Sequence, residues 1–296
     1  MLKKKDMLLI ADSGSTKCDW LLYRNEKEVP IKIRTKGLNP VILSRKALKK
    51  NIVSNEELIN YKEFVTSIYF FGAGCGTDKN KHKIEVVLMS IFNNAIVTTK
   101  EDIMAAVYAT TTKPAVVCIL GTGSNCCFYN GNTIEIKTPA LGYLLMDEGS
   151  GNYFGKELIK AYYYGKMPKT LELLFIKQFN LKEKYIIKKL YNSLTPNKYL
   201  AEFAHFLFEN EEHEFIKNIL KEGIDKFVNH HVLQYKGELK TVPLYFVGSI
   251  AYYAKKYIEN SLSRKGLKAA GFIRRPINNL ANNLSEAHTW SSVTSI

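Results

Sequence analysis

The sequence of 296 residues predicts an α/β protein with two similar lobes. Strand and helix patterns alternate through the first half of the chain, and an almost wholly helical stretch follows from about 156 to 236. A short repeat aligns DSGSTKCDW (12–20) with GTGSNCCFY (121–129), so that each half carries a glycine turn between two strands. A ligand is therefore expected in a cleft between the two lobes.

The predicted elements follow from the spacing of apolar residues along the chain. Strands are predicted at MLLIA, CDWLLYR, SIYFFGAG, NAIVTT, AVVCIL, NCCFYN, NTIEIK and PLYFVGS. Helices are predicted at ALKKNIVSNEELINYKEF, KIEVVLMSIFN, KEDIMAAVYATT and IAYYAKKYIENSL. Glu101 and Asp102 fall in the first turn of the third helix, where acidic side chains suit the helix dipole.

The formal charge of +14 raises the question of a nucleic-acid partner. The lysines, however, are spread through helical stretches such as NLKEKYIIKKLYN, where they mix with acids and apolar residues. This pattern is typical of the solvated face of an amphipathic helix. We therefore expect no nucleic-acid partner, and a basic surface also suits an enzyme whose substrates carry phosphate.

Several other classes of protein are disfavoured by composition. No run approaches ~20 apolar residues, so no membrane span is predicted, and the apolar stretch before Asp12 is too short for a signal peptide. A cytoplasmic protein is the simplest interpretation. The five cysteines are odd in number and lack C-x-x-C spacing, which argues against both a disulfide framework and a zinc site.

The two glycine turns are the first candidate ligand site. Glycine lets the backbone approach an anion closely, and amide and hydroxyl groups then donate hydrogen bonds to phosphate oxygens. An aspartate beside bound phosphates, here Asp12, is a natural partner for Mg²⁺, either directly or through water. Two ordinary tight turns are the alternative interpretation, and it is the better one for either turn taken alone.

The segment LGYLLMDEGSGNYFGKEL (141–158) is the second candidate. Asp147 and Glu148 precede a glycine-rich start of a helix, and adjacent carboxylates are costly to bury. We therefore expect them to face a polar ligand or solvent. The alternative is a helix N-cap formed by Ser150 or Asn152, and both interpretations can hold together.

The motifs DSGSTKCDW, GTGSNC, DEGSG and VGSIA occur in the order and spacing of the actin-like sugar kinases. Over residues 7–280 the sequence resembles the N-acetylglucosamine kinases and the related BadF/BadG/BcrA/BcrD ATPase family. The resemblance implies two ribonuclease H-like domains of the actin-like ATPase fold, spanning 1–112 and 113–296, with a cleft between them. The second domain would carry a helical insertion, and the last helix could pack back on the first domain.

The resemblance also implies ATP, Mg²⁺ and an amino sugar as ligands. It assigns ATP and its phosphates to Asp12, Gly14, Ser15, Thr16, Lys17, Gly121, Thr122, Gly123 and Gly248. It assigns the sugar to Asn39, Asp102, Ser124, Asn125, Leu141, Gly142 and Asp147. Gly248 matches the adenosine motif, in which the purine lies against backbone at a helix start, and Asp12 would hold Mg²⁺.

Asp102, in TTKEDIMAA, matches the catalytic aspartate of the sugar kinases. Phosphoryl transfer needs a base near the acceptor hydroxyl, and the start of a helix is expected to keep this carboxyl ionised. The alternative is an acid that merely stabilises the helix dipole. Glu101 is the nearest competitor for the role of base.

The amino-acid sequence leaves several sugars and more than one class of function open. Leu141 and Tyr143 stand where related sugar kinases often have glycine and tryptophan, so N-acetylglucosamine, N-acetylmuramic acid, glucosamine and N-acetylmannosamine all remain candidates. A second class of function is an ATPase that activates a dehydratase or reductase through an iron–sulfur cluster shared at a dimer interface. A non-catalytic sugar sensor is the third, and a homodimer is open in each case.

Overall fold

The computed structural model describes residues 6–14, 17–24, 29–277 and 279–280. The chain divides into two compact units. Unit 1 runs to Ala109 and resumes at Pro276, whereas unit 2 comprises Thr110–Arg275. The sequence suggests 112/113 for this boundary. Ser15, Thr16 and the tail 281–296 lie outside the described residues.

Unit 1 contains a five-stranded mixed sheet in the order β3-β2-β1-β4-β5. Its strands are β1 (Met7–Ser13), β2 (Lys17–Tyr23), β3 (Ile31–Lys36), β4 (Val65–Gly72) and β5 (Ile96–Glu101). The pairs β1–β2 and β2–β3 are antiparallel, while β4 runs parallel to both β1 and β5. The carboxyl ends of β1, β4 and β5 therefore lie at one edge of the sheet.

The helices of unit 1 are α1 (Arg45–Val53), α2 (Glu56–Ile59), α3 (Asp78–Met89) and α4 (Asp102–Thr110), the last ending at the first residue of unit 2. The single helix predicted across ALKKNIVSNEELINYKEF is wrong, because it is two helices. Asn55 interrupts it, since its side chain accepts a hydrogen bond from the Leu58 amide at 2.9 Å and so caps α2.

Unit 2 contains a second five-stranded sheet in the order β10-β9-β6-β7-β8. Its strands are β6 (Ala115–Leu120), β7 (Ser124–Tyr129), β8 (Ile134–Glu135), β9 (Leu244–Val247) and β10 (Gly271–Ile273). The pairs β8–β7 and β7–β6 are antiparallel, and the pairs β6–β9 and β9–β10 are parallel. Read from β8 to β10, the strand directions therefore repeat those of unit 1. The predicted α/β class is confirmed, and so is the duplication of the glycine hairpin within it.

The helices of unit 2 are α5 (Gly151–Tyr163), α6 (Lys169–Gln178), α7 (Glu183–Tyr191), α8 (Pro196–Glu202), α9 (His205–Glu209), α10 (Glu214–His230), α11 (Ser249–Tyr253) and α12 (Lys255–Ser263). Two 3₁₀ helices, Val232–Tyr235 and Glu238–Lys240, follow α10. The predicted single helix IAYYAKKYIENSL is therefore two. Among the described helices, none combines the length and the apolar character needed to cross a membrane.

The predicted register of the repeat is wrong. In the first hairpin Cys18 closes the turn opposite Ser13, and in the second Ser124 closes it opposite Leu120. Cys18 is thus equivalent to Ser124, not to Cys127 as the letter-by-letter alignment suggests. The reason is loop length, because residues 14–17 separate the closing pair in the first hairpin and only 121–123 separate it in the second.

Each unit has its own hydrophobic core. In unit 1 the buried face of the sheet includes Trp20 and Phe70, whose rings lie 6.3 Å apart. The Trp20 indole donates a 2.9 Å hydrogen bond to the Thr35 hydroxyl, which satisfies its polar atom. In unit 2 the core is dominated by aromatic side chains of the helical region, such as Phe175 and Phe206. These cores hold the ends of β1 and β6 in place.

Candidate active site

The first hairpin presents Asp12, Gly14 and Lys17 at the carboxyl end of β1. The Gly14 amide donates to the Lys17 carbonyl at 3.0 Å, and Gly14 is exposed, so that a Cβ there would meet only the Lys17 carbonyl oxygen, at 3.9 Å. The Lys17 ammonium lies 3.0 Å from an Asp19 oxygen. This ion pair is largely solvent-exposed and so holds Lys17 only weakly. Lys17 therefore remains available to an anionic ligand at the turn.

Asp12, Asp19 and Arg34 lie in one row across β1, β2 and β3, on the same face of the sheet. Arg34 donates to Asp19 at 2.5 Å. Among the described residues, none donates a hydrogen bond to the Asp12 carboxylate. Two carboxylates placed opposite each other repel unless a cation lies between or beside them. At the end of β1, Asp12 consequently has no ion-pair partner among the described residues, although the charge of Lys17 still acts on it.

Electrostatics at Asp12 follow from this arrangement. Burial, together with the negative charges of Asp102 and Asp19, raises the pKa of Asp12 from 3.8 to about 7, and Lys17 opposes the shift. Asp12 in the ligand-free protein is thus poised to lose a proton near neutral pH. A divalent cation at this carboxylate would lower the pKa by favouring the charged form.

Asp102 is the first residue of α4, as predicted, but Glu101 is the last residue of β5. The Asp102 Oδ1 atom accepts a 2.9 Å hydrogen bond from the Ile103 amide, which favours the ionised carboxyl. Removal from bulk water and the neighbouring charge of Glu101 outweigh it and raise the pKa of Asp102, but the residue is exposed and solvent weakens both effects. Desolvation is the largest influence on this pKa, and the ionised state of Asp102 at neutral pH stays a prediction.

Asn39 lies in a buried segment that follows β3. Its Oδ1 atom accepts a 2.9 Å hydrogen bond from the Val41 amide, and the preceding Leu38 amide donates to the Ser13 hydroxyl at 2.9 Å. Ser13 is the last residue of β1, next to Asp12. The predicted sugar-binding asparagine is therefore anchored to the strand that carries the predicted phosphate carboxylate.

A third glycine-rich loop, GAGCG (72–76), was not recognised as part of the site from the sequence. A Cβ on Gly74 would lie 2.3 Å from the Asn39 Oδ1 atom, and a Cβ on Gly76 would lie 3.3 Å from a Glu101 oxygen. The loop thus contacts both the predicted sugar-binding amide and the neighbour of the predicted base. The alternating glycines were the available signal, but they stand at the end of a strand and suggest only a turn.

The second hairpin is fixed by the start of α5. Within the turn the Gly121 amide donates to the Gly123 carbonyl at 2.9 Å. The amides of Gly151 and Asn152, the first residues of α5, donate to the carbonyls of Gly121 and Thr122 at 2.8 and 3.0 Å. Because the carbonyls of the turn point to the helix, this geometry satisfies the acceptors of the turn within the protein.

Asp147 is also part of this support. Its carboxylate accepts hydrogen bonds from the Ser124 amide at 3.0 Å and from the Asn152 side chain at 2.7 Å. Asp147 is buried and has a φ of 70°, a conformation uncommon outside glycine. The expectation that it faces ligand or solvent needs correction, because both of its oxygens already contact protein. Ser150 caps α5 through the Tyr153 amide, as the alternative interpretation predicts.

Glu148 likewise pairs with protein rather than with solvent. One of its oxygens lies 3.0 Å from the His231 Nε2 atom, and the other lies 3.8 Å from the His230 Nδ1 atom. Burial acts to raise the pKa of Glu148, but the hydrogen bond and charge of His231 lower it below the ordinary value. Glu148 therefore ties the loop before α5 to the end of α10.

Ser124 offers an unsatisfied group at the second hairpin. Its hydroxyl oxygen is buried and, among the described residues, forms no hydrogen bond. An unpaired buried hydroxyl is costly unless a ligand or water completes it. The neighbouring Asn125 side chain accepts from the Cys126 amide at 2.8 Å and is half-buried, so its NH₂ group can still donate.

Gly248, Gly142 and Leu141 complete the predicted residues. Gly248 has a φ of 118°, and a Cβ there would lie 2.3 Å from the Leu120 carbonyl oxygen, so close packing against the second hairpin already requires glycine. Gly142 has a φ of 78° with open space around it, and Leu141 is exposed. The Lys156 ammonium holds this loop by donating to the Tyr143 carbonyl at 2.5 Å.

The glycines of the second hairpin can be tested separately. A Cβ on Gly123 would lie 3.0 Å from both Asp147 oxygens, whereas a Cβ on Gly121 meets nothing within 4 Å. We therefore expect Gly121→Ala to leave the melting temperature unchanged and to weaken ATP-dependent turnover on the order of 10²-fold, by displacing the phosphates. Gly237→Ala, at another open position, is the control for both measurements. Normal turnover of Gly121→Ala would contradict phosphate binding at this turn.

Asp147→Ala is expected to raise the apparent KM for both substrates and to lower the melting temperature. The carboxylate supports Ser124 and Asn152, so its loss disturbs the turn as well as any contact with sugar. Asn125→Ala removes the NH₂ donor and the hydrogen bond from the Cys126 amide but keeps the Asp147 support of the turn, so it should raise the sugar KM alone, by roughly tenfold or more. Steady-state kinetics with both substrates checks this contrast, and equal behaviour of the two variants would refute it.

Solved structures of similar fold include three that bear on this site. A protein from Porphyromonas gingivalis, for which N-acetylglucosamine kinase activity is proposed, shares 29% identity over 95% of this chain and 100% of its own, with a TM-score of 0.87. A second proposed N-acetylglucosamine kinase, from Chromobacterium violaceum, shares 11% identity over 95% and 99%, with a TM-score of 0.74. The ROK family glucokinase from Streptomyces griseus, in complex with glucose and AMPPNP, shares 11% identity over 94% of this chain and 97% of its own, with a TM-score of 0.56.

Neither a protein-family model nor a curated protein matches the sequence. The structural likeness extends over nearly the whole chain in each of the three cases. Together with the two sheets of repeated topology, it confirms the predicted fold, which is that of the actin-like ATPases and sugar kinases.

Proposed function

We propose that this protein is an ATP-dependent sugar kinase that phosphorylates an amino sugar, with the C6 hydroxyl of N-acetylglucosamine as the leading acceptor. The observation that carries the proposal is the group of carboxylates at the ends of β1 and β5. There Asp12 and Asp102 have raised pKa values, and Asp12 forms no ion pair with any described residue. Such a group suits the binding of a cation and the acceptance of a proton, which are the two needs of phosphoryl transfer.

Asp102 is proposed as the residue that orients the acceptor hydroxyl and takes its proton. A carboxyl whose pKa is raised toward neutrality is a stronger base when ionised than an ordinary aspartate. Its Ile103 hydrogen bond fixes one oxygen and leaves the other for substrate. Because the transition state of phosphoryl transfer is loose, correct placement of the hydroxyl supplies much of the rate.

The carboxylates also fit Mg²⁺. Magnesium in kinases is held by one or two carboxylates, with substrate phosphates and water as the other ligands. Asp12 offers such a carboxylate, and within the described residues no cluster of three or more His, Cys, Asp or Glu side chains could hold a metal ion by itself. Asp12 would therefore hold Mg²⁺ jointly with ATP. The bound ion would neutralise charge on the transferred phosphoryl group.

The two hairpins divide the remaining roles. Gly14, Lys17 and Gly121–Gly123 are proposed to contact the phosphates of ATP, and Gly248 the adenosine. Asn39, Ser124 and Asn125 are proposed to contact the sugar, which is consistent with the unsatisfied Ser124 hydroxyl. The proposed activity of the two bacterial relatives favours N-acetylglucosamine. Membership of the BadF/BadG/BcrA/BcrD family is part of the same proposal.

The activator alternative has no observation in its favour. A shared iron–sulfur cluster needs cysteines at an accessible interface, but all five cysteines are buried in this chain. Cys118 and Cys126 face each other across β6 and β7, with their sulfur atoms 2.7 Å apart inside the sheet. Protein purified without oxygen is expected to contain no stoichiometric iron or sulfide.

A panel of amino sugars in a coupled ADP-release assay tests the proposal. We expect sugar-dependent ADP release with ATP and Mg²⁺, fastest with an N-acetylated hexosamine. The position of the phosphate on the product, determined by NMR, identifies the acceptor hydroxyl. A protein that binds sugar but releases no ADP with any of the four candidates would instead be a sensor.

A further inference from the structure

The segment that carries Asn39 is buried over residues 37–40, and side chains from three other elements satisfy its backbone. Asn51 of α1 donates to the Gly37 carbonyl at 3.1 Å, and Ser13 of β1 accepts from the Leu38 amide. The Lys83 ammonium of α3 donates to the Pro40 carbonyl at 2.6 Å. A buried backbone group without such a partner would destabilise this conformation.

Gly74 packs against the Asn39 side chain and is also held by α3. Gly74 has a φ of 83° and leaves no room for a side chain beside the Asn39 amide. The Asn80 side chain donates to the Gly74 carbonyl at 2.9 Å. Asn80 and Lys83 are three residues apart and so lie on neighbouring positions of one helix face.

Lys83 differs in its partner from Lys81, another half-buried lysine of α3. Lys81 pairs with the exposed Asp78 at 3.2 Å. Lys83 is partly buried and forms no ion pair with any described residue. Its ammonium group instead donates a hydrogen bond to the Pro40 carbonyl. A charged donor in a partly buried position makes a strong hydrogen bond, and its loss would free the Pro40 carbonyl.

We propose that α3 is a brace for the sugar-binding amide, in which Asn80 and Lys83 are positioning residues that set the orientation of Asn39. Lys83 holds the segment that carries the amide, and Asn80 holds the Gly74 loop that packs against it. The effect of Asn80 and Lys83 on sugar binding rests on the proposed kinase function. Their effect on the orientation of Asn39 is independent of that function. Neither residue touches the reacting atoms.

Lys83→Met is the decisive variant, because it keeps the aliphatic stem and removes the donor. We expect the sugar KM to rise roughly tenfold, with the ATP KM and kcat within about twofold of wild type. Lys83→Arg should restore the sugar KM, since it retains a donor. Lys81→Met is the matched control on the same helix and should leave all three constants unchanged.

A spectroscopic measurement separates this inference from the kinase proposal. In the ligand-free protein, the side-chain amide resonances of Asn39 in a ¹⁵N–¹H spectrum should shift in Lys83→Met and Asn80→Ala but not in Lys81→Met. Absence of sugar-dependent ADP release in wild type would remove the kinase function and leave these shifts in place. Unchanged Asn39 resonances in Lys83→Met would overturn the brace. A lowered melting temperature of this variant, with equal increases in the KM for sugar and the KM for ATP, would also overturn it.

Discussion

Asp102→Asn is expected to lower kcat by roughly 10²–10⁴-fold while sugar binding survives, the usual scale for the loss of a general base. Asparagine keeps the shape of the side chain, and its oxygen can still accept the hydrogen bond from the Ile103 amide. It cannot accept the proton of the acceptor hydroxyl. Steady-state kinetics with calorimetry of sugar binding checks both parts of this expectation.

Glu101→Gln is the control at the neighbouring position. The kcat should change little, because Glu101 is the last residue of β5 and its side chain lies beside Gly76, whereas Asp102 begins α4. Since the charge of Glu101 helps to raise the pKa of Asp102, its removal should move the acidic limb of the kcat/KM profile to lower pH. If Glu101→Gln abolished turnover, or Asp102→Asn lost stability rather than rate, Asp102 would not be the base.

Asp12→Asn is expected to abolish turnover and yet to stabilise the ligand-free protein at neutral and alkaline pH. Turnover is lost because an amide is a poor ligand for Mg²⁺. Stability increases because the variant removes a carboxylate that must otherwise ionise near Asp19 and Asp102. Titration of activity with Mg²⁺ and denaturant unfolding at several pH values measure the two effects.

The direction of the pH dependence follows from the raised pKa. Between the ordinary value of 3.8 and about 7, the unfolded chain is ionised at Asp12 while the folded chain holds the proton. Wild type therefore loses stability relative to Asp12→Asn as the pH rises through this range, and the difference is complete above pH 7. This difference in the free energy of unfolding is at most about 4 kcal/mol. The actual difference is smaller because Asp12 is only half-buried, so solvent screens its charge.

Asp78→Asn, at a fully exposed acid in the first turn of α3, is the matched control variant for both measurements. If Asp12→Asn were less stable than wild type at pH 8, the Asp12 carboxylate would have a stabilising partner in the folded chain. The carboxylate would then need no cation beside it.

Features that depend on near neighbours in the chain could be predicted from the amino-acid sequence. Strands β1 and β6 and the glycine turns that follow them are local patterns of apolar residues and turn chemistry. The same holds for the helix start at Asp102 and for the Ser150 cap of α5. Each depends on contacts within about four residues, which an amino-acid sequence states directly.

The tertiary structure alone decided which atoms those features meet. The pKa of Asp12 depends on Asp19 across a strand pair and on Asp102 across the sheet. The role of Asp147 depends on Ser124, which lies 23 residues earlier in the chain. Burial and hydrogen bonding are sums over such distant neighbours, and hairpin loops of different length shifted the register of the repeat. Sequence periodicity contains no information about these partners, so only the folded chain could assign them.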